Sequence, residues 1–311
     1  MRVAIVGAGG VGGYVGARLQ AQGNDVHFIA RGSNLQALRS AGLTVHSPLG
    51  DLRLPQVAAT NDPASVGPVD LVVLGVKLHG LEAAAATLRP LLGPDTAVLP
   101  VQNGVDAADR LIAVLGPQHV LKGSVYIVSF LKSLGVVDHK SPFCRLVFAE
   151  ADGAASPRTQ RLAELLRAAG IEASVSPDID ADLWRKFLML APFAAVACLT
   201  RGTAGQVLGH ASTRALLRDA MAEVAAVAAA KGIRLPADII DASLEGMKRF
   251  PADARPSMQL DIDAGRPLEL ESLSGTVVRL GAACGVPTPV HDVAYRALSL
   301  YAVPEGGGRT P

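Results

Sequence analysis

The chain has very little cysteine, few aromatic residues and no surplus of either charge. Three cysteines, Cys144, Cys198 and Cys284, lie far apart in 311 residues. An odd, unclustered set argues against a disulfide framework or a zinc site and points to a reducing, cytoplasmic setting. Cys284 sits in an Ala-Ala-Cys-Gly run and reads as a small buried thiol. Seven histidines are scattered with no pair at metal-ligand spacing, so no metal is expected. Charged residues make up 18% of the chain and sum to a formal +1, which gives no global field to recruit nucleic acid or an anionic membrane. Long hydrophobic runs are absent too. The longest, Phe187–Leu199, contains Pro192 and is too short to span a bilayer. The N-terminus opens directly on a strand-like Arg-Val-Ala-Ile-Val, which leaves no room for a signal peptide. A soluble protein is expected.

Half of the residues are hydrophobic, enough for a compact fold, and the length suits two domains with a core each. In the first half, short apolar runs (Val3–Val6, Asp25–Ala30, Leu71–Val76, Ala97–Val101) read as buried strands. They alternate with the helical patterns Val11–Gln22, Leu35–Ser40, Gly80–Leu92 and Asp106–Leu115. That alternation implies βαβ units and a parallel sheet covered on both faces. Val120–Phe148 is strand-rich, punctuated by Gly123, Gly135 and Pro142, and could close the sheet with antiparallel strands. A helix over Ser156–Ala169 and a strand over Glu172–Ser176 follow. Beyond Pro177 the strand signal gives way to helical patterns over Ile179–Leu199, Ser212–Lys231, Ala237–Met247 and Ser272–Cys284. The expected organisation is an α/β domain over 1–176, a helical domain over 177–303 and a flexible Gly/Pro-rich tail over 304–311. The Ala-rich stretch Arg214–Lys231 suits a homodimer face as well as a core.

Residues 3–13 read Val-Ala-Ile-Val-Gly-Ala-Gly-Gly-Val-Gly-Gly. Gly7, Gly9 and Gly12 form G-x-G-x-x-G between a strand and a helix, the context that a dinucleotide fingerprint requires. Gly7 permits the tight turn, Gly9 lets backbone approach a pyrophosphate, and Gly12 lets helix pack on strand. Gly7, Ala8, Gly9, Gly10, Val11 and Gly12 are therefore the candidate cofactor cradle. The second strand carries no carboxylate at its end, where NAD sites usually place one; it runs into Arg31-Gly32-Ser33-Asn34. Asp25 begins that strand and is misplaced for the ribose. Arg31 is either a free surface arginine or a fork for a 2′-phosphate, and the latter favours NADP.

Later segments add to this. Val101-Gln102-Asn103-Gly104 follows a strand at the edge where open α/β sheets bind ligands. Leu183-Trp184-Arg185-Lys186 opens an apolar helix, and Pro256-Ser257-Met258-Gln259-Leu260-Asp261 precedes Gly265-Arg266-Pro267-Leu268-Glu269. With the glycine motif, Arg31 and Lys77, these resemble the ketopantoate reductase (2-dehydropantoate 2-reductase) family over about residues 2–300. The resemblance implies a Rossmann-type doubly wound domain joined to an all-helical one, with an active site in the cleft between them. It also implies NADPH-dependent reduction of a small 2-oxo acid to a 2-hydroxy acid. Lys186 resembles the family's catalytic proton donor and Glu269 the glutamate that completes the site. Asn103 resembles an asparagine touching both nicotinamide ribose and substrate, Ser257 a substrate-binding serine, and Lys77 a cofactor-side lysine.

Residue chemistry supports these roles independently, because hydride arriving at a carbonyl carbon leaves charge on oxygen that a positioned cation or acid stabilises. Other readings stay open: Lys186 snorkelling from a helix end, Glu271 in place of Glu269, Ser257 as a helix cap. The chain also departs from the family. Four and eight residues after Lys186, where the resemblance implies asparagines, stand Leu190 and Ala194, on the lysine's own face of the helix. A further asparagine of the loop after that helix is replaced near Ala204. The expected consequence is a more apolar 2-oxo acid than ketopantoate. Two alternatives remain: another small hydroxy-acid dehydrogenase on the same plan, and a non-enzymatic NADP-binding regulator.

Overall fold

The computed structural model describes residues 1–302. The stretch Pro304–Pro311, read above as a flexible tail, lies outside the described residues. The chain divides into two compact units, Met1–Gln102 with Asp106–Ile179, and Asp180 onward with Asn103–Val105.

The first unit holds twelve strands: β1 (Arg2–Val6), β2 (Asp25–Ile29), β3 (Leu43–His46), β4 (Leu52–Leu54), β5 (Ala58–Thr60), β6 (Val69–Leu74), β7 (Leu92–Pro100), β8 (Leu121–Tyr126), β9 (Ser129–Ser133), β10 (Val136–His139), β11 (Arg145–Glu150) and β12 (Glu172–Val175). Its helices are α1 (Gly10–Ala21), α2 (Gly32–Ala41), α3 (Leu81–Ala85), α4 (Ala107–Leu115) and α5 (Pro157–Ala168). The main sheet runs β5-β2-β1-β6-β7, all parallel. Strand order reverses at β1 and β6, so their carboxyl ends open the crevice in which such sheets take ligands.

Alternation along each strand explains the continuous apolar runs. Val3, Ile5, Leu71, Val73 and Leu99 pack into one hydrophobic cluster, whereas Ala4, Val6, Val72, Leu74 and Val98 pack into another. Adjacent side chains point to opposite faces and both faces are covered, so every position must be apolar.

Two expectations about secondary structure need correction. The strand-rich stretch Val120–Phe148 does not simply close the main sheet. β8, β11 and β12 form a three-stranded sheet joined to β7 by one parallel bridge, Val98 to Val120. β9 and β10 leave for a separate four-stranded sheet, β4-β3-β10-β9, because a turn at Gly135 makes them a hairpin and β10 pairs with β3. The helix expected over Gly80–Leu92 is broken: α3 ends at Ala85 and a 3₁₀ turn follows at Arg89–Leu91. Pro90 disfavours helical backbone at the residue before it and has no N–H for a preceding carbonyl.

The second unit is helical: α6 (Ile179–Thr200), α7 (Ala204–Gly209), α8 (Ala211–Ala230), α9 (Ile239–Met247), α10 (Ser257–Asp263), α11 (Thr276–Cys284) and α12 (Pro289–Leu298). α11 is preceded by a π-turn, Glu271–Gly275. α6 threads the hydrophobic cluster, with Phe187, Leu188, Ala191 and Ala194–Cys198 buried in it. By length and composition α6 would qualify as a membrane span, but 67% of its apolar window is buried inside the protein, which marks a core helix. Pro192 interrupts α6 and deprives the Leu188 carbonyl of its helical donor. Cys284, expected to be buried, is exposed, because it is the last residue of α11 just before a left-handed Gly285.

Packing between β1 and α1 rests on Gly12. A methyl added there would lie 2.2 Å from the Gly7 carbonyl oxygen and 3.2 Å from Ile5 Cγ2. Gly12→Ala should lower stability by about 1–3 kcal/mol through overpacking, read as an earlier urea midpoint; an unchanged midpoint would show that helix and strand are not in close contact.

Candidate active site

The glycine turn is built to leave backbone bare. Gly7 has φ +94°, open to glycine at little cost, and a side chain there would strike the backbone of Gly75 and Val76. α1 begins at Gly10 with Gly9 as N-cap and no side chain capping its free N–H groups. A methyl on Gly9 would meet nothing within 4 Å, so the space over the helix N-terminus is open. Uncapped N–H groups, the positive end of a helix dipole and an open approach suit a pyrophosphate. Gly10 is different. A side chain there would meet Ser129 and Phe130 backbone at 2.5 Å, and Ser129 Oγ donates to the Gly10 carbonyl at 2.9 Å. Gly10 is therefore needed for packing: β9 lies across the turn and braces it.

Asn34 is a second brace. Its Nδ2 donates to the Ala8 carbonyl at 3.1 Å, and its Oδ1 accepts from Gly135 N–H at 3.3 Å. The side chain thus ties the cradle to the hairpin between β9 and β10. The Arg31-Gly32-Ser33-Asn34 segment named Asn34 but gave no sign of this role, because its partners are 26 and 101 residues away.

Arg31 is exposed at the N-cap of α2, just beyond the end of β2, and no hydrogen bond engages its guanidinium among the described residues. Asp25, by contrast, is taken up by His27 and Arg2 at the other end of the strand. Lys77 is exposed just after β6, past the crevice edge of the sheet. Gln102, which the motif Val-Gln-Asn-Gly also contained, is buried and donates to the Leu74 and Val76 carbonyls at 2.7 and 3.0 Å. It holds the ends of β6 and β7 in register.

In the second unit the structure brings together three of the residues singled out from sequence. Lys186 Nζ donates to Asn103 Oδ1 at 2.9 Å, across 83 positions of sequence. Gly104, at φ +113°, makes the turn that presents Asn103. Lys186 lies on the stretch of α6 that also carries the buried Trp184 and Phe187, whose rings meet edge to face with centroids 5.9 Å apart. Burial lowers its pKa from the ordinary lysine range to about 8, against the opposing pull of the Glu269 carboxylate. Glu269 is half-buried and precedes the π-turn.

Glu271, the competing carboxylate, is exposed and accepts the Tyr295 hydroxyl, which raises the pKa of that tyrosine. Ser257 is exposed as the first residue of α10. Pro256 is the cap position, so the hydroxyl is no helix cap and has no hydrogen-bond partner among the described residues. Leu190 is half-buried, while Ala194 is only 1% exposed and belongs to the core.

A parallel sheet with an uncapped glycine turn, and a helical unit with an amide-bound lysine beside a carboxylate, define a two-unit oxidoreductase of the nicotinamide class. Comparisons with known proteins give the same answer at finer grain. The chain matches the family model "Ketopantoate reductase PanE/ApbA" over residues 3–153 and "Ketopantoate reductase PanE/ApbA C terminal" over 178–302. It is 32% identical to a 2-dehydropantoate 2-reductase of Mesorhizobium japonicum, with 98% of this chain and 99% of that one covered. The crystal structure of 2-dehydropantoate 2-reductase from Geobacter metallireducens superposes with a TM-score of 0.90 at 31% identity, covering 96% of this chain and 99% of that one. A D-mandelate dehydrogenase solved with NADH and anilino(oxo)acetate shares the fold, at TM-score 0.88 and 22% identity over 97% and 98% of the chains. The chain belongs to the ketopantoate reductase family. It is an oxidoreductase with a nicotinamide cofactor and a small oxo acid as substrate.

The open space at Gly9 gives a direct check of the cradle. Gly9→Ala should fold with an unchanged melting temperature, because its backbone (φ −84°, ψ −158°) is available to alanine. Its methyl should nevertheless weaken binding of a nicotinamide dinucleotide by at least about 10-fold if the pyrophosphate sits over this turn. Fluorescence titration with NADPH reads this; equal affinity in the two proteins would place the nucleotide elsewhere.

Proposed function

We propose that the protein uses NADPH to reduce a 2-oxo acid to the 2-hydroxy acid, with Lys186 as general acid, and the observation that carries this is the bond from Lys186 Nζ to Asn103 Oδ1. A bound nicotinamide supplies hydride to the carbonyl carbon. Negative charge then develops on the carbonyl oxygen, and the protein must meet it. Lys186 is suited to that task. Burial of its ammonium makes it a better acid, Glu269 opposes that shift so that it stays protonated near neutral pH, and Asn103 orients it. Ser257, with a free hydroxyl at the start of α10, is assigned to the substrate carboxylate. Gly7, Ala8, Gly9, Gly10, Val11 and Gly12 form the pyrophosphate cradle, with Lys77 and Asn103 on the cofactor side. Arg31, standing beyond β2 with an unengaged guanidinium, is assigned to the 2′-phosphate, which favours NADP over NAD. The non-enzymatic regulator loses ground, since binding a nucleotide requires no desolvated lysine.

Ketopantoate is the substrate that the relatives' names suggest. A second reading, a more apolar 2-oxo acid, is supported by Leu190, which stands one turn from Lys186 on the same helix face and keeps part of its surface uncovered. Ala194, two turns on, is drawn into the core and offers little surface to any substrate, so Leu190 bears the weight of this reading. A site that hydrogen-bonds a substrate hydroxyl rejects analogues lacking it by roughly 10⁴–10⁵, and an aliphatic side chain cannot do this.

NADPH oxidation over a panel of ketopantoate and branched or aromatic 2-oxo acids should be fastest with one of these. Lys186→Ala should lose at least about 100-fold in kcat while still binding NADPH. The sign of the pH dependence follows from the lysine: the protonated form is the acid, so the rate should fall as pH rises through about 8. A wild-type rate in Lys186→Ala, or a rate rising above pH 8, would remove the assignment.

Arg31→Ala should weaken NADPH binding about 10-fold or more and NADH binding hardly at all. Equal losses for the two nucleotides would mean that Arg31 merely supports the loop.

A further inference from the structure

Glu269 has no helix of its own to hold it; it lies in the chain between α10 and the π-turn. We propose that His291 and Tyr295 of α12, together with Ser274, are positioning residues that hold the π-turn Glu271–Gly275 in the shape that directs Glu269 toward Lys186. This rests on the roles assigned above to Lys186 and Glu269.

The π-turn is closed by the Gly275 N–H on the Leu270 carbonyl at 3.0 Å, one residue wider than an α-helical bond. Such turns are rare because the wider ring packs poorly, and they persist where surroundings impose them. The consequence of losing it is geometric. Slipping to α-helical register removes one residue from the turn, which rotates everything before it by roughly 100° about the helix axis. Glu269 would swing with it.

Two grips oppose that slip, one turn apart on the same face of α12. His291 Nδ1 is hydrogen-bonded to Ser274 Oγ at 3.2 Å, with both side chains fully buried. The Tyr295 hydroxyl donates to Glu271. The Tyr295 ring also lies over Gly275, where an added methyl would meet Tyr295 Cε2 at 3.1 Å and Glu271 Oε2 at 2.9 Å. The helix bearing these grips is itself pinned. Glu223 of α8, nearly buried, accepts the Val290 and His291 N–H groups at 2.6 and 3.0 Å and so satisfies the start of α12. Burial lowers the His291 pKa to about 4, so its ring stays neutral and grips by hydrogen bonding through the working pH range. The contacts thus run from Glu223 through α12 to the π-turn and end beside the carboxylate that faces Lys186. Buried polar groups cost desolvation that only satisfied hydrogen bonds offset, so Glu223, His291 and Ser274 fix this geometry more narrowly than apolar side chains would.

The test uses the full chain, with NADPH and the best substrate of the panel. Glu269→Gln sets the reference. It removes the charge that supports the Lys186 ammonium, so the alkaline fall of kcat/KM should move to lower pH. Tyr295→Phe and Ser274→Ala should each shift that fall in the same direction by a smaller amount and lower kcat by roughly 10-fold to 100-fold. The KM for NADPH and the melting temperature should stay near wild type. His291→Ala should behave likewise, and His291→Asn, whose amide can replace Nδ1, should recover part of the loss. If Ser274→Ala fails to fold, Tyr295→Phe decides alone, since it deletes one oxygen. Wild-type kcat and alkaline fall in these variants, with Glu269→Gln altered, would overturn the positioning role and leave the reductase reading intact. A wild-type profile in Glu269→Gln itself would instead overturn the assignment of Glu269, and the positioning role with it.

Discussion

An ammonium group largely withdrawn from water is the constraint to which the second unit answers. Removing Lys186 from solvent disfavours its charge, and the shift of its pKa to about 8 expresses that cost. The nearby Glu269 carboxylate opposes that cost, so the group stays protonated near neutrality, while an amide oxygen at 2.9 Å accepts from it. Each partner must then be held in turn. Asn103 is set by the left-handed turn at Gly104, and Glu269 by the π-turn that follows it. The apolar length of α6, which could pass for a membrane helix, supplies the dry surroundings.

The first unit solves a complementary problem. A pyrophosphate cradle needs exposed backbone N–H groups in a fixed shape, and exposed backbone has no side chains with which to fix itself. Rigidity is therefore borrowed. Asn34 holds Ala8, Ser129 holds Gly10, and Gly7 and Gly12 close against neighbouring backbone with no room for a Cβ. The small sheet β4-β3-β10-β9 explains itself on the same terms. Its hairpin lies on α1, where His139 packs against Tyr14 with ring centroids 4.4 Å apart, and it steadies the helix that begins at the glycine turn.

Much of this was legible in sequence, and for definite reasons. The buried strands β1, β6 and β7 announce themselves because both of their faces are covered, so their apolar runs are unbroken. The glycine motif is legible because its geometry is local: turn, approach and packing fall within six residues. Lys186, Asn103, Glu269 and Ser257 stand out only through likeness to a family, since nothing local distinguishes a desolvated lysine from one at a helix end. The short strands β3, β4 and β5 escaped notice, because three or four residues carry no periodicity that could stand apart from a loop. The break in the helix after Gly80 and the exposure of Cys284 differ from expectation for a related reason: both depend on where a helix stops.

Taken alone, the sequence determined what contiguous residues can determine: two grammars of secondary structure, a nucleotide turn, an arginine where a carboxylate would serve NAD, and a leucine where a hydroxyl-binding amide is expected. Tertiary structure alone decided which carboxylate lies within electrostatic reach of Lys186. Glu269 and Glu271 are equivalent as text, but Tyr295, 24 residues beyond Glu271, takes the latter. It also decided that Ala194 is core while Leu190 stays half-buried at its edge, and that Asn34 and Gln102 are braces. The physical reason is common to all of these: a hydrogen bond or a buried contact is a relation between two places in space, and a linear sequence specifies that relation only through the whole fold.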